Sequence, residues 1–284
     1  MPRHGGATLC AAKPVFVDCD PHSYTIDAAK VEAAITNRTK AIVAVHLYGQ
    51  PADMDPLIEI ADKHGIALVE DCAHSDIAEY KGRKVGGLST ASSFSFYPSK
   101  NLGSYGEAGA AMTNAEELAG KFRTMRNQGA SSKYSHIMPG HNYRMESIQG
   151  AVLGVKLKYL RQWTEARRKV AGLYNEILKD LDTITLPVEM PYAKAVYHLY
   201  VIRTNDNRRD ALAEYLNEKD ISTGLHYPIP LHLQPCFASL GYKKGDFPIS
   251  ENLAENCLSL PMYPELTEDQ IGYVCGTIRE FYRR

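Results

Sequence analysis

The sequence predicts an α/β fold: a mixed, mainly parallel sheet flanked by helices, followed by a smaller C-terminal α/β domain. Two observations support it. Apolar, strand-like runs at 41–47 and 66–70 enclose a helix-like segment at 54–64, and this alternation is typical of parallel sheets covered on both faces. A chain of 284 residues is also long enough for one large and one small domain. We expect the large domain to span 1–160 and the small domain 161–284.

The remaining elements are predicted from hydrophobic period, from Gly and Pro positions and from helix caps. In chain order, we expect strands at 13–18, 41–47, 66–70, up to 97, 108–113, 197–203 and 222–225. We expect helices through 30–35 with Asp27 as cap, at 54–64 before Gly65, at 115–126 with Asn114 as cap, from 146 to 181 with a break near Trp163, at 209–219 and at 266–282. The polar segment 131–142 is predicted to be an exposed loop, and loops of this kind often carry function.

Charge and hydropathy argue against several classes of protein. The net charge of −1 gives no basic footprint for nucleic acid or for an anionic membrane. No apolar run approaches the ~20 residues of a membrane span. Residues 1–6 lack the apolar core of a signal peptide. We therefore expect a cytoplasmic protein that binds neither nucleic acid nor membrane.

The cysteine and histidine patterns argue against a metal site. The six cysteines include no C-x-x-C pair, and the ten histidines show no H-E-x-x-H spacing. Scattered cysteines of this kind indicate reduced thiols, which are typical of the cytosol. We expect neither a disulfide framework nor a bound metal.

Lys100 is the first candidate for chemistry. It lies in a turn between Pro98 and Gly103, directly after a strand-like run. If the turn lines a cleft, partial burial would lower the pKa of the lysine and leave a nucleophilic amine. Such an amine forms Schiff bases with carbonyl compounds, including pyridoxal phosphate. The alternative is a solvated surface lysine.

Asp71 is the second candidate, because it ends the strand at 66–70. A carboxylate at the C-terminal end of a strand in an α/β sheet points into the crevice where ligands bind. Pyridoxal phosphate enzymes need an acid against the pyridinium nitrogen, and Asp71 is placed to supply it. The alternative is a helix N-cap. Pairing with Lys100 favours the catalytic interpretation.

With Asp71 and Lys100 in these positions, the sequence resembles a known family, the DegT/DnrJ/EryC1/StrS sugar aminotransferases, which are fold-type-I pyridoxal phosphate enzymes. The matching stretches occur in the family's order and cover nearly the whole chain. They are 12–18, 46–55, 69–74, 94–103, 142–145 and 226–228. The resemblance implies that Lys100 carries the internal aldimine and moves protons between cofactor and substrate. It also implies that Asp71 keeps the pyridine nitrogen protonated.

The resemblance extends to five further residues. His74 is expected on the phenolic oxygen of the cofactor, with a structural histidine as the alternative. Ser95 is expected on the phosphate, with a packing serine as the alternative. Asn142 resembles the residue that reaches the phosphate from the partner subunit, which implies a homodimer with shared active sites; a turn-forming Asn is the alternative. His226 and Tyr227 resemble a segment near the sugar, although Pro-flanked aromatic residues usually serve packing.

The sequence departs from the family pattern in two places. The family has a block before residue 12 that includes a phosphate-binding helix N-terminus and an aromatic residue that stacks on the pyridine ring, so we expect an N-terminally truncated member. At 75–77 the chain has Ser75, Asp76 and Ile77, where the family usually has small residues, His and Gly. Asp76 adds negative charge near the cofactor, and Ile77 adds bulk.

The function implied is pyridoxal-phosphate-dependent transamination of a nucleotide-linked keto-sugar, with glutamate as the expected amino donor. Lys100 separates this function from the family's dehydratase branch, in which the lysine is replaced by histidine. Two alternatives remain open. One is a truncated, non-catalytic or regulatory homologue, and the other is a different fold-type-I pyridoxal phosphate enzyme, such as a lyase acting on amino acids.

Overall fold

The computed structural model describes residues 5–284 and is rich in helices. Its α-helices are α1 (Gly5–Leu9), α2 (Ala28–Val31), α3 (Met54–His64), α4 (Glu116–Arg126), α5 (Ser147–Lys156), α6 (Leu160–Leu178), α7 (Arg209–Glu218), α8 (Pro248–Asn256) and α9 (Glu268–Arg283). Short 3₁₀ helices at 32–34, 47–49, 231–233 and 235–240 supplement them. No described helix is long and apolar enough to cross a membrane.

The strands of the described chain are short, and they form four sheets. They are β1 (Ala41–Val45), β2 (Ala67–Asp71), β3 (Glu79–Tyr80), β4 (Arg83–Lys84), β5 (Ala91–Ser95), β6 (Gly109–Met112), β7 (Ala130–Ser132), β8 (Ser135–His136), β9 (Ile184–Thr185), β10 (Ala193–Lys194), β11 (Tyr200–Thr204) and β12 (Cys257–Leu260). The two larger sheets have the orders β1-β2-β5-β6 and β12-β11-β9.

The four-stranded sheet positions the site. Strands β1, β2 and β5 run parallel, and β6 runs antiparallel at the edge. The register places Val45, Asp71 and Ser93 side by side, so the carboxyl ends of the parallel strands meet at one edge. Helices α2 and α3 pack beneath, and their apolar residues form a core with Ile42, Leu68 and other buried side chains. The predicted mixed, mainly parallel sheet is confirmed.

The C-terminal part has its own sheet and its own core. Strand β11 pairs antiparallel with β9 and β12, and α6, α7 and α9 contribute the apolar faces that cover it. Tyr174 and Tyr200 lie in this core with their ring centroids 4.8 Å apart. A smaller sheet, β10-β3-β4, joins residue 193 to residue 80 and so connects the two parts of the chain.

Several predicted helix limits are confirmed because they depend on local signals. Asp27 accepts a hydrogen bond from the backbone N–H of Ala29 and caps α2. Helix α3 has the predicted limits, and Gly65 ends it with a left-handed φ of 61°. Helix α9 begins with a capping box between Thr267 and Gln270.

Other predictions were wrong. Residues 13–18 form no strand; Phe16 packs edge-on against Phe237, at a ring distance of 5.4 Å, and holds this segment against a distant part of the chain. Residues 222–225 form no strand either, since only Gly224 bridges to Ser259. The helical region 146–181 breaks at 157–159 instead of near residue 163.

Two further differences concern α4 and the polar loop. Asn114 does not cap α4, because its amide donates to the carbonyl of Gly87, and the hydroxyl of Thr113 accepts from Ala115 N instead. The segment 131–142 is exposed, as predicted, but it contains part of the β7–β8 hairpin. Helix α8 and strand β12 were not predicted.

Candidate active site

The carboxyl edge of the parallel strands holds Asp71. This residue ends β2 and is 6% exposed, and its Oδ1 accepts a hydrogen bond from Ala73 N at 2.9 Å. Ser93 is its neighbour on β5, and Ser95 lies two residues further along the same strand. Residues two apart on a strand share a face, so Ser93 and Ser95 project from the same side of the sheet.

A buried hydrogen-bonded pair, Glu70 and His46, lies next to Asp71. Glu70 and His46 are both fully buried, with Glu70 Oε2 at 3.0 Å from His46 Nε2. His46 Nδ1 accepts from Ala52 N at 3.0 Å, so Nε2 carries the proton and donates it to Glu70. The carboxylate of Glu70 also accepts from Gly86 N, Leu88 N and Ser89 Oγ at 2.7–2.9 Å.

These contacts keep Glu70 ionised. Burial acts to raise the pKa of Glu70, but hydrogen bonds from His46, Gly86 and Ser89 outweigh it and leave the pKa below its usual value. The potential ligand atoms of His46, Glu70 and Cys72 lie close enough together to bind one metal ion. Because both ring nitrogens of His46 already make hydrogen bonds, we assign this group to positioning the end of β2.

Lys100 lies in a tightly held turn that follows β5. Its side chain is half-buried, and its backbone N–H donates to Tyr97 O at 2.8 Å. Asn101 is buried and donates to Val196 O at 3.2 Å. A Cβ on Gly103 would lie 2.3 Å from Pro98 O, so only glycine allows this close approach. The turn thus presents Lys100 on a rigid support.

His74 links the end of β2 to this turn. It is 3% exposed, and its Nδ1 accepts from Tyr48 N at 3.3 Å. Its ring centroid lies 4.4 Å from that of His198. His198 Nδ1 in turn lies 3.2 Å from Asn101 Oδ1, next to Lys100. His74 is therefore placed in the interior between Asp71 and the Lys100 turn.

Asp76 and His226 are both titratable groups close enough to feel the charge of Lys100. Asp76 is 4% exposed. Burial raises the pKa of Asp76 to about 7, although Leu102 N–H and the Lys100 charge act to lower it. Burial, together with the charge of Lys100, lowers the pKa of His226. The charge of Lys100 thus acts on the pKa of both Asp76 and His226.

The 226–227 segment is anchored from both parts of the chain. His226 Nδ1 lies 2.8 Å from Ser259 Oγ on β12, and the hydroxyl of Tyr48 donates to the carbonyl oxygen of His226. A Cβ on Gly224 would lie 2.7 Å from the His226 ring, so glycine is required there. Tyr227 is 38% exposed and lies at the rim, with its ring centroid 5.5 Å from that of His226.

Asn142 lies apart from this group. It is exposed and forms an isolated bridge with Asn127, beside the β7–β8 hairpin. Large apolar side chains around it are also exposed; they are Tyr134, Ile137, Tyr143, Met145, Ile148, Val155, Leu157 and Tyr159. We call this surface the apolar arm. Within one chain, the contacts of Asn142 do not join it to the Lys100 group.

Sequence reasoning missed Glu70, Asn101 and His198 as parts of the site. Glu70 had a signal, because it forms an acidic pair with Asp71 at the end of a strand. Asn101 and His198 gave none, since their contact joins residues 97 positions apart. The sequence assigns no role to His46 or Tyr48, and the structure assigns both to support.

The chain is similar to known proteins over nearly its whole length. The family model of the DegT/DnrJ/EryC1/StrS aminotransferases matches residues 5–279. A pleiotropic regulatory protein of Geobacillus stearothermophilus is 49% identical over 98% of this chain and 75% of its own length. The dTDP-3-amino-3,4,6-trideoxy-alpha-D-glucose transaminase of Streptomyces venezuelae is 44% identical over 96% of this chain and 72% of its own length.

A solved structure agrees with the sequence matches. The S. venezuelae DesV crystal structure, in complex with a ketimine intermediate, superposes with a TM-score of 0.93 at 44% identity. The superposition covers 96% of this chain and 73% of that one. The resemblance identified from the motifs is thereby confirmed, and the chain belongs to the DegT/DnrJ/EryC1/StrS aminotransferase family, whose members are pyridoxal-phosphate-dependent transferases.

Proposed function

We propose that this chain transfers an amino group to a keto-sugar linked to a nucleotide, with glutamate as the amino donor and Lys100 as the reactive amine. The observation that carries the proposal is the rigid Lys100 turn at the edge where Asp71 ends β2. The name of the S. venezuelae relative supports a nucleotide-linked sugar as substrate.

The residues present fit pyridoxal phosphate by the chemistry of their donor set. Asp71 is a buried carboxylate, which suits a protonated pyridine nitrogen. Ser95 supplies a hydroxyl that donates to anionic oxygen, and His74 supplies a buried imidazole for the phenolic oxygen. When bound, the cofactor supplies an electron sink that makes the substrate carbon acidic. We therefore assign Asp71, His74 and Ser95 to holding it.

Lys100 has two tasks in this proposal. Its Nζ would be the amine that holds pyridoxal phosphate in the site. As a free amine, the same Nζ acts as a general base and then as a general acid: it removes a proton from one substrate carbon and delivers it to a second atom. The hydrogen bonds that fix the turn restrict where Nζ can reach, and this restriction favours one face of the substrate.

The sugar side of the site is assigned to the 226–227 segment. His226 lies near Lys100 and is anchored through Ser259, whereas Tyr227 remains partly exposed at the rim. An exposed aromatic ring beside a buried imidazole offers both an apolar face and a polar group for a sugar. We propose that these two residues contact the acceptor.

We further propose a homodimer in which the apolar arm packs against a second copy. Tyr134 is 86% exposed and Ile148 is 72% exposed, and a group of large apolar side chains exposed in this way is typical of an interaction site. Asn142 lies on the same arm and would then reach the phosphate in the site of the second copy. Sedimentation of the wild type and of Ile148→Lys tests this: we expect the variant to shift toward monomer, and an unchanged mass would contradict the interface.

The reactive amine is tested by reduction. The purified chain is incubated with pyridoxal phosphate, treated with borohydride, digested and analysed by mass spectrometry. We expect the reduced cofactor on the Lys100 peptide. Lys100→Ala should lose both the fixed cofactor and the visible absorbance, whereas Lys40→Ala, which changes an exposed lysine before β1, should retain both. Transfer from glutamate to nucleotide-linked keto-sugars is then assayed with the same variants.

Two alternatives give different results. A regulatory protein, as the name of the Geobacillus relative suggests, would show no turnover with any donor and acceptor pair. A different fold-type-I enzyme would fix the cofactor on Lys100 but would act on amino acids without a sugar acceptor. Cofactor fixed equally in wild type and Lys100→Ala would contradict the assignment of Lys100.

A further inference from the structure

Helix α5 lies against the backbone that follows Lys100, and the proposed chemistry assigns it no role. Gln149, Leu153 and Lys156 are spaced four and three residues apart, so they lie on one side of the helix. Gln149 is 7% exposed and Leu153 is 8% exposed, whereas Ile148, on another side, is 72% exposed. We call the side formed by Gln149, Leu153 and Lys156 the inner face of α5.

Two hydrogen bonds join the inner face to the main chain after Lys100. Gln149 Oε1 accepts from Tyr105 N at 2.8 Å. Lys156 Nζ donates to Gly103 O at 2.5 Å and also lies 5.5 Å from the centroid of the Tyr105 ring. One side chain thus holds a backbone donor and the other holds a backbone acceptor, on the same stretch of chain.

Close packing supports these hydrogen bonds. A Cβ on Gly106 would lie 2.9 Å from Gln149 Nε2, so glycine allows the chain to approach α5 this closely. Leu102 packs with Leu153 and Leu160 in one buried apolar cluster. The inner face therefore contacts the chain after Lys100 through both polar and apolar groups.

The loop that carries Lys100 is closed at its base. Ser104 donates to Phe96 O through its backbone N–H at 2.8 Å and through its hydroxyl at 2.6 Å. Lys100 lies midway between these two residues in the sequence, and its own N–H donates to Tyr97 O. Because the loop is short and internally hydrogen-bonded, we expect it to move as one unit, which α5 holds along the side after Lys100.

We propose that Gln149 and Lys156 are positioning residues that act through Lys100: they hold the backbone after it, so that its amine meets the cofactor in one position. The inference rests on the proposed role of Lys100 as the reactive amine. Gln149 and Lys156 touch neither substrate nor cofactor in this account. A reactive group displaced by about 1 Å can lose about 100-fold in rate, so a weaker hold on the loop should be measurable.

The test uses two pairs of variants that separate hydrogen bonding from volume. Gln149→Leu removes the acceptor of Tyr105 N, whereas Gln149→Glu keeps an acceptor oxygen. Lys156→Met removes the donor to Gly103 O, whereas Lys156→Arg keeps a donor. Lys158→Met makes the same chemical change at an exposed lysine two residues later and is the matched control.

The hold on the loop is measured first, in protein free of cofactor. Hydrogen exchange followed by mass spectrometry reports on the amides of 97–106. In Gln149→Leu and Lys156→Met we expect these amides to exchange about tenfold faster, the factor expected from the loss of one hydrogen bond. Gln149→Glu, Lys156→Arg and the control should follow the wild type. Exchange at the wild-type rate in both the Leu and the Met variant would overturn the inference.

The position of Lys100 is measured next, through the rate at which it takes up pyridoxal phosphate. Samples are treated with borohydride at timed intervals, and the Lys100 peptide is quantified by mass spectrometry. We expect attachment about tenfold slower in Gln149→Leu and Lys156→Met, and restored in Gln149→Glu and Lys156→Arg.

A purely structural role of α5 gives a different result. Leu and Met fill nearly the same space as Gln and Lys, so residues that only pack would leave the attachment rate at Lys100 unchanged. A lower melting temperature with attachment at the wild-type rate would overturn the inference. Failure of the proposed function is distinguishable, because wild type would then fix no cofactor on Lys100, whereas hydrogen exchange would still test the hold of α5 on the loop.

Discussion

Replacing Glu70 tests whether its buried hydrogen bonds to His46 and to the backbone support the site. Glu70→Ala removes the acceptor of His46 Nε2, Gly86 N and Leu88 N. Each buried donor left without an acceptor costs about 1–3 kcal/mol. Ser89 Oγ loses less, because it also donates to Ala91 O. We expect the free energy of unfolding to fall by about 4 kcal/mol.

Glu70→Gln tests the hydrogen bonds alone, because Gln has nearly the same side-chain volume as Glu. The amide of Gln keeps one acceptor oxygen, but its NH₂ group replaces the other oxygen and faces groups that also donate hydrogen bonds. His46 cannot relieve this by changing tautomer, because its Nδ1 must accept from Ala52 N. We expect a loss of about 2 kcal/mol, between wild type and Glu70→Ala.

The measurement is thermal unfolding by circular dichroism at a fixed protein concentration. With about 2 °C per kcal/mol for a chain of this size, the melting temperature should fall by about 8 °C in Glu70→Ala and about 4 °C in Glu70→Gln. Glu59→Ala, an exposed change on α3, is the matched control. A Glu70→Ala protein that melts within about 2 °C of wild type would refute the reasoning.

Two further predictions concern the long-range contact of Asp18 with α8 and the close backbone approach inside the Lys100 turn. Asp18→Ala should lower the free energy of unfolding by about 1–2 kcal/mol, because Asp18 accepts from Ile249 N and Ser250 N in the first turn of α8. Burial opposes the charge of Asp18, but those hydrogen bonds hold its pKa below the usual value, so the stabilisation is present above about pH 4 and is lost as the pH falls further. Urea midpoints measured at pH 7 and pH 3 should therefore differ less in Asp18→Ala than in wild type. The control Asp62→Ala, which changes an exposed residue, should match wild type at both pH values. Gly103→Ala should displace the Lys100 turn, because the added Cβ meets Pro98 O at 2.3 Å; we expect borohydride to fix at most about one tenth as much cofactor, a loss of about 1.4 kcal/mol in binding, and fixation equal to wild type would contradict the close contact.

Local signals explain which parts of the fold were predictable. The parallel strands and α3 were predicted because continuous apolar runs, a helical period and Gly65 are all readable within about a dozen residues. The positions of Asp71 and Lys100 were readable for the same reason, since Asp71 ends β2 and Lys100 lies in the turn after β5. The sheet then brings them to one edge through the register of β2 and β5.

Long-range contacts explain what was missed. Residues 13–18 have the composition of a strand, but Phe16 and Asp18 bind residues more than 200 positions away. Strand β12 gave no signal because its four residues, fully buried, lack the alternation that marks a half-exposed strand. No local window contains these partners.

Asp76 and Ile77 show an intermediate case. Their departure from the family pattern was visible in the sequence, but its structural effect depends on how the two side chains are buried. Ile77 adopts a left-handed φ of 60°, which costs a β-branched residue about 1–2 kcal/mol. Its side chain packs against two apolar clusters, and this packing offsets the cost. The seating of both residues depends on neighbours that arrive from distant parts of the chain.

The cap on α8 has a consequence for the order of folding. The chain between Asp18 and Ser250 spans 232 positions, and closing a loop of that length costs about 5 kcal/mol of entropy. Helix α8 has only nine residues, too few to be stable in isolation. We therefore expect α8 to acquire its cap late in folding, so that the early part of the chain completes one of the last helices.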